Sequence, residues 1–261
     1  MIEYQILNSG FFYADGGAMF GPVPKSAWNR KYPCDDLNTC RMAMRCLLVW
    51  NEDRVVLLDT GIGSKDIGKL SYYRFHDLQE ISVQLKRFGF EPEDVTDVVL
   101  SHLHFDHCGG CTFVDETGNL QVVYPNARHW VSRRQWEAYS HPNYLEKHSF
   151  RTTDMLPVQN AGLLNLIESD MDLFDGFRIG LYNGHTFGQL VSFVETRDGL
   201  CIYPGDVIPT KAHLSIDWIS AYDIEPLLSV ESKLKLKEFI KKKNTFTIFY
   251  HDAFFGVYRS K

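Results

Sequence analysis

Positive charge is in short supply: 27 lysines and arginines stand against 33 aspartates and glutamates, a formal net charge of -6. A general nucleic-acid binder needs the opposite balance to neutralise phosphates, so that class is excluded. The one basic run, Lys241-Lys242-Lys243, closes a predicted helix, where it complements the helix dipole. Long apolar runs are also missing, and none approaches the roughly 20 residues that span a bilayer. No membrane partner is therefore expected. Met1-Ile2-Glu3-Tyr4 lacks the charged start and apolar core of an export signal. The six cysteines (Cys34, Cys40, Cys46, Cys108, Cys111 and Cys201) are few for 261 residues, and without an export signal they read as reduced thiols of a cytoplasmic protein. Cys108 and Cys111 have Cys-x-x-Cys spacing, but no second pair exists to complete a zinc knot. Pro/Ser-rich linkers and internal repeats are absent, so one domain is expected over residues 1–261.

What is present is strand-length apolar segments: 54–58, 95–100, 121–124, 129–132, 177–182, 190–195, 200–203 and 245–250. Most are rich in Val, Ile, Phe and Tyr and bounded by Gly, Asp, Asn or Pro, as strands are. Thr196-Arg197-Asp198-Gly199 reads as a hairpin turn. Helical spacing is rarer. It places Leu78, Ile81, Leu85 and Phe88 on one face of a helix over 77–88. It predicts a short helix over 133–140, and a longer one over 226–243 with an apolar stripe of Leu227, Val230, Leu234, Phe239 and Ile240. Strands interspersed with helices define an α/β or α+β fold with helices outside sheets. Residues 140–163 show weak periodicity and read equally as a lid or as a surface insertion.

The densest chemistry lies in Ser101-His102-Leu103-His104-Phe105-Asp106-His107-Cys108-Gly109-Gly110, directly after an apolar run. A strand entering a glycine-ended loop projects His102, His104, Asp106 and His107 into one small volume. Their lone pairs would stay unsatisfied without a cation among them. Neutral imidazole and carboxylate suit zinc, and less selectively iron, cobalt or manganese. Three further segments put a His or Asp at the carboxyl end of an apolar run: Gly184-His185-Thr186, Gly205-Asp206 and His251-Asp252. With the first cluster they give seven donors, enough for two adjacent ions. His76, His129, His141, His148 and His213 lack comparable settings. Asp59-Thr60-Gly61 also closes a strand, where Asp59 is either a support for the ligands or a turn former.

These motifs carry a resemblance. Leu-Asp-Thr-Gly at 58–61, His-x-His-x-Asp-His at 102–107, Gly-His-Thr at 184–186, Gly-Asp at 205–206 and His251 resemble, in order and spacing, the metallo-β-lactamase superfamily of hydrolases. The resemblance implies an αββα sandwich of two mixed sheets flanked by helices, with two divalent ions at the sheet edges. It implies that His102, His104 and His185 hold one ion, that Asp106, His107 and His251 hold the other, and that Asp206 bridges them. Zinc is the implied metal, with iron or manganese as alternatives. True β-lactamases commonly carry a Cys near the bridging position, and diiron flavoproteins a Glu where His104 stands, so a dizinc-type hydrolase is favoured. Asp15 to Gly21, Gly205 to Thr210 and Trp218 to Asp223 are similar to the quorum-quenching N-acyl-homoserine lactonases. Two positions depart from the pattern: Gln189 replaces a second His found in many members, and Pro209 replaces a Tyr found in some lactonases.

The implied chemistry is hydrolysis of a lactone or related small ester by hydroxide held between two metal ions, with N-acyl-homoserine lactones as candidate substrates. Asp106 is expected to steer the proton as well as to ligate. Tyr222 is the candidate oxyanion donor, beside a reading as a partly buried core tyrosine. Met19, Phe20 and Trp28 suit the wall of an acyl pocket, and equally a plain apolar contact or the surface of a homodimer. Trp136 and Tyr139 carry the same ambiguity. The alternatives are a phosphodiesterase or nuclease, which the acidic charge disfavours, a thioester hydrolase, and a non-catalytic metal-binding protein.

Overall fold

The computed structural model describes residues 1–65 and 67–260. Among the described residues, fourteen strands form two six-stranded sheets and a small ribbon. The first sheet holds β1 (Glu3–Asp15), β2 (Thr39–Trp50), β3 (Val55–Leu58), β4 (Asp97–Val99), β7 (Arg128–Ser132) and β8 (Leu164–Ile167), in that spatial order. The ribbon is β5 (Thr112–Val114) with β6 (Leu120–Val122). In the second sheet the order is β14 (Val257–Arg259), β13 (Thr245–Ile248), β12 (Gly199–Tyr203), β11 (Gln189–Thr196), β10 (Phe177–Tyr182) and β9 (Met171–Phe174). The helices in chain order are α1 (Gly16–Phe20), α2 (Lys25–Trp28), α3 (Ile81–Leu85), α4 (Phe105–Cys108), α5 (Arg133–Ser140), α6 (Thr152–Asn160) and α7 (Pro226–Ile240). α3 and α5 lie against strands of the first sheet and α7 against β13 of the second, which makes the expected αββα sandwich.

Both sheets are mixed. β3, β4, β7 and β8 run parallel, as do β12 and β13, while the other pairs within the two sheets are antiparallel. Period-two alternation separates two apolar layers in the second sheet. Leu190 and Val194 of β11, with Cys201 and Tyr203 of β12, join the main core between the sheets. Val191, Phe193 and Ile202 point the other way, toward Leu236 and Ile240 of α7. A sheet covered on both faces explains why these strands read as nearly continuous apolar runs.

Two expectations need correction, and one open choice is decided. The helix foreseen over 77–88 is confined to Ile81–Leu85 and a 3-10 turn at Lys86–Phe88, because Gln79 N–H bonds Ser9 O (3.1 Å) and draws that stretch onto the edge of β1. Phe20 and Trp28 are fully buried and stacked on one another, so they belong to the core, and only Met19 of that trio reaches a cavity. The apolar stripe of α7 is rotated. Leu227 is 80% exposed and Leu234 50%, whereas Ser229, Ser232, Lys233, Leu236 and Ile240 face inward. Polar contacts set that rotation: Lys233 Nζ donates to Ser215 O (2.7 Å) and Trp218 O (2.6 Å), and Ser232 Oγ donates to Asn183 O (2.6 Å). None of the described helices is long and apolar enough to cross a membrane.

Candidate metal centre

Five strand ends aim at one place. Asp59 follows β3, His102 follows β4, His185 follows β10, Asp206 follows β12 and His251 follows β13. After β4 the chain runs through Ser101, whose carbonyl accepts Leu190 N–H at 2.7 Å and so ties the two sheets together. It then enters α4, a single turn that carries Asp106 and His107. Two glycines permit the approach of other loops. A Cβ on Gly184 (φ +129°) would sit 2.3 Å from Ser229 N of α7, and one on Gly205 (φ +50°) would sit 2.8 Å from Gln189 Nε2. The departure at position 189 thereby has a local account: Gln189 Nε2 donates to Pro204 O (2.9 Å) and holds the turn that presents Asp206.

All seven predicted donors come together. His104 Nδ1 lies 3.0 Å from His102 Nε2 and 3.3 Å from His185 Nε2. Tetrahedral zinc with bonds of 2.0–2.1 Å places its nitrogen donors about 3.3 Å apart, so this triad has the spacing of a ligand set. Asp106, His107 and His251 form the second group, with His251 Nε2 at 3.5 Å and His107 Nε2 at 3.8 Å from Asp106 Oδ2. Asp206 stands between the groups. Its Oδ1 is 3.5 Å from His107 Nε2, and its Oδ2 is 3.2 Å from His251 Nε2 and 3.4 Å from His185 Nε2. His107 Nε2 and Asp206 Oδ1 are buried, face each other, and have no hydrogen-bond partner. Orphaned atoms of this kind are rare in native cores, and a cation seated among them satisfies both.

Behind the donors is a layer of orienting groups. Asp59, held at φ +54°, takes His107 Nδ1 at 2.9 Å. Asp223 Oδ1 takes His185 Nδ1 at 3.0 Å, the Ala43 carbonyl takes His251 Nδ1 at 2.9 Å, and Ser101 Oγ meets His102 Nδ1 at 3.1 Å. Tyr250 stacks on His107 with ring centroids 3.9 Å apart, and its hydroxyl donates to Asp106 O. Of this layer, sequence reasoning reached Asp59 alone. Asp223 carried a signal, since it ends the Trp218–Asp223 motif, but Ala43 and Ser101 act through groups that sequence does not distinguish.

The fields within the cluster diverge. Burial, with His107 and His104 nearby, drives the His102 pKa well below its ordinary value, and burial likewise lowers His104. Burial opposes charge on His107 too, but the carboxylates of Asp206, Asp106 and Asp59 outweigh it and the pKa rises well above normal. Burial would raise Asp206, yet His251 and His107 hold it well below the carboxylate range.

A cavity of about 150 Å³ opens over the donors. Phe12, Met19, Tyr73, Phe105, Leu145 and Tyr222 supply its less polar wall, and no lysine or arginine among the described residues lines it. Larger cavities of about 470 and 490 Å³ lie elsewhere, and no imidazole lines either. Tyr222 is in place at the wall and 42% exposed, with the two residues before it at the wall and Asp223 bonding His185 after it. Tyr73 is a second phenol there that sequence reasoning missed. Trp136 and Tyr139 stack on each other away from it.

His213, set aside on sequence grounds, links the cavity wall to the loop that carries Asp206. Its Nε2 donates to Met19 O (2.8 Å), and in the neutral ring its Nδ1 accepts from Thr210 Oγ (2.7 Å). Burial, helped by Lys233, lowers its pKa to about 4. The unfolded chain, with His near 6.5, therefore binds more protons between pH 6.5 and 4. Stability from this group is full above 6.5 and is lost as pH falls through 4. His213→Gln is expected to flatten that limb of a pH-dependent denaturation curve by up to about 3 kcal/mol. Parallel curves for the two proteins would contradict it.

Two mixed sheets between helices, with seven His and Asp donors gathered at strand ends, define a metallo-hydrolase. The chain belongs to the metallo-beta-lactamase superfamily, whose family model matches residues 45–251. It is 27% identical over 219 residues to the N-acyl homoserine lactonase of Bacillus thuringiensis, covering 79% of this chain and 80% of that protein. A structure described as a probable metal-dependent hydrolase from Staphylococcus aureus superposes with a TM-score of 0.90 at 28% identity, over 98% of this chain and 91% of that one. The fold is also shared by AidC, a dizinc quorum-quenching lactonase solved with a product bound, at a TM-score of 0.77 and 22% identity, over 98% and 89% of the two chains.

Proposed function

We propose that this protein opens a lactone, or cleaves a related small ester, with two divalent ions. His102, His104 and His185 would hold the first ion, Asp106, His107 and His251 the second, and Asp206 would bridge them. The observation that carries this reading is the convergence of seven donors beneath a small cavity with no lysine or arginine among the described residues of its wall. Zinc suits the donor set best, and iron or manganese are the other ions it accommodates. Such a pair supplies a water ionised near neutral pH and a Lewis acid for the scissile carbonyl. The absence of lysine and arginine from the described cavity wall favours an uncharged ester over a phosphodiester. Kinship with N-acyl homoserine lactonases makes N-acyl-homoserine lactones the first substrates to test, and with them a quorum-quenching role.

Within this reading the side chains divide the work. Asp106 would accept the proton released as water attacks through the carboxylate oxygen not engaged with the ion, since the residue lines the cavity beside His251. Tyr222 donates to the oxyanion. Burial pushes its phenol up to about 12, so it stays protonated and able to donate at neutral pH. A zinc-reconstituted panel of acyl-homoserine lactones, simple lactones, aryl esters and phosphodiesters tests the substrate class. Lactone turnover well above background is expected, and clear phosphodiester cleavage with none of lactone would reverse the choice. On the best substrate, Tyr222→Phe is expected to lower kcat about 100-fold with little change in KM. An unchanged kcat in Tyr222→Phe beside a fall in Tyr73→Phe would move the donor role to Tyr73.

A further inference from the structure

Four imidazoles at the centre turn the same nitrogen inward. His102, His107, His185 and His251 each present Nε2, with Nδ1 engaged by Ser101, Asp59, Asp223 or the Ala43 carbonyl. His104 is reversed. Its Nδ1 meets the other nitrogens, and its Nε2 faces Glu146 Oε1 at 3.4 Å. Glu146 comes from the irregular stretch between α5 and α6 and is 2% exposed. A carboxylate so buried is costly unless it is bonded on both oxygens. Thr186 Oγ donates to Oε1, and Asn143 Nδ2 donates to Oε2 at 2.6 Å.

The same stretch is closed on itself and tied to the His104 turn. Asn143 Oδ1 accepts the N–H groups of Leu145 (2.8 Å) and Glu146 (3.0 Å), and Glu146 O accepts Ser149 N–H (2.7 Å). Ser149 O accepts Phe105 N–H (2.9 Å), one residue beyond His104. Leu145, Glu146 and Ser149 all line the cavity.

We propose that Glu146 is a positioning residue that couples the first metal position to the segment 143–149. Its carboxylate can only accept, so it favours the His104 tautomer protonated on Nε2 and leaves Nδ1 free to ligate. The opposite tautomer would set lone pair against lone pair at Nε2 and block Nδ1. The 3.4 Å separation is long for a hydrogen bond, and fixing Nδ1 on a metal is expected to shorten it. Because one carboxylate serves both His104 and Asn143, occupation of the first position orders the segment, and an ordered segment raises affinity there. The inference rests on the ligand assignment proposed above.

Zinc titration of the full chain against a competing chelator, with hydrogen exchange of the segment, tests it. In the unmodified protein, zinc is expected to protect 143–149 from exchange. Glu146→Ala is expected to weaken one of two zinc sites 10- to 100-fold, leave the other unchanged, and abolish that protection. Glu146→Gln keeps an acceptor for His104 but turns an NH2 toward Asn143, so most of the zinc affinity returns while protection does not. Asn143→Ala is likewise expected to lose protection and, by reciprocity, to weaken that same site, but by less than Glu146→Ala because His104 keeps its acceptor. These two variants carry the test if Glu146→Ala does not fold. Two wild-type zinc affinities in Glu146→Ala, equal loss at both sites, or zinc-independent exchange of the segment would overturn the coupling. Failure of the unmodified protein to bind two zinc ions would instead remove the ligand assignment beneath it.

Discussion

Asp206→Ala is expected to lose the paired metals and to reduce turnover on the order of a thousandfold. Among the described residues Asp206 is the side chain whose two oxygens address imidazoles of both groups: Oδ1 toward His107, Oδ2 toward His251 and His185. Two divalent ions 4 Å apart repel by roughly 16 kcal/mol at an effective dielectric of 20, and a shared anion offsets that repulsion. Although burial disfavours its charge, His251 and His107 keep Asp206 ionised far below neutral pH. Outer partners of metal ligands typically contribute 10- to 100-fold, so loss of the carboxylate proposed to bridge the two positions is placed above that range. Asp206→Asn keeps the shape and removes the charge, and it is expected to fall almost as far. Metal content of the purified variants, read beside kcat/KM and circular dichroism, measures this. Two metal equivalents and activity within tenfold of the unmodified protein would falsify the bridging assignment.

The donors were legible because each announces itself locally. A His-x-His-x-Asp-His run, and a His or Asp after Gly at the end of an apolar run, are patterns of neighbouring residues. The supports behind them were not, because they depend on tertiary approach. Nothing adjacent to Ala43 marks its carbonyl as the partner of His251, and Glu146 lies in a stretch without period. The same limit governs the fold. β12 and β13 are made mostly of apolar and β-branched residues and were seen, whereas β1 was missed because Asn8-Ser9-Gly10 imitates a turn. There the chain instead makes an irregularity in register between Asn8 and Phe11, with Gly10 at φ +130°. β2 was missed because Met, Cys and Arg crowd a strand whose place is set by burial between neighbours. On α7, three hydrogen bonds from Lys233 and Ser232 outweighed the apolar stripe that periodicity selects.

Asp59 is where support and stability meet, and its replacement should show both. One buried carboxylate accepts four donors: Ser101 N–H (2.7 Å), Ser101 Oγ (2.7 Å), Tyr203 Oη (3.0 Å) and His107 Nδ1 (2.9 Å). Asp59→Ala removes the acceptor of Ser101 N–H and His107 Nδ1, whereas Tyr203 Oη keeps Arg45 O (2.8 Å) and Ser101 Oγ keeps His102 Nδ1 (3.1 Å). Hydrogen bonds to a charged group contribute about 1.5–3 kcal/mol each but are not additive, so a total of roughly 3–5 kcal/mol is expected. In a chain of this size that lowers Tm by roughly 10 °C. Asp59→Asn separates the two roles. Its amide oxygen can still accept from Ser101, which limits the loss of stability, but its NH2 would face His107 Nδ1. The imidazole then accepts at Nδ1 and moves its proton to Nε2, the nitrogen that points at Asp106 and Asp206. Metal affinity at that position should fall 10- to 100-fold while Tm falls less than in the alanine variant. Equal effects of Ala and Asn on Tm, with metal affinity untouched, would reduce Asp59 to a turn former.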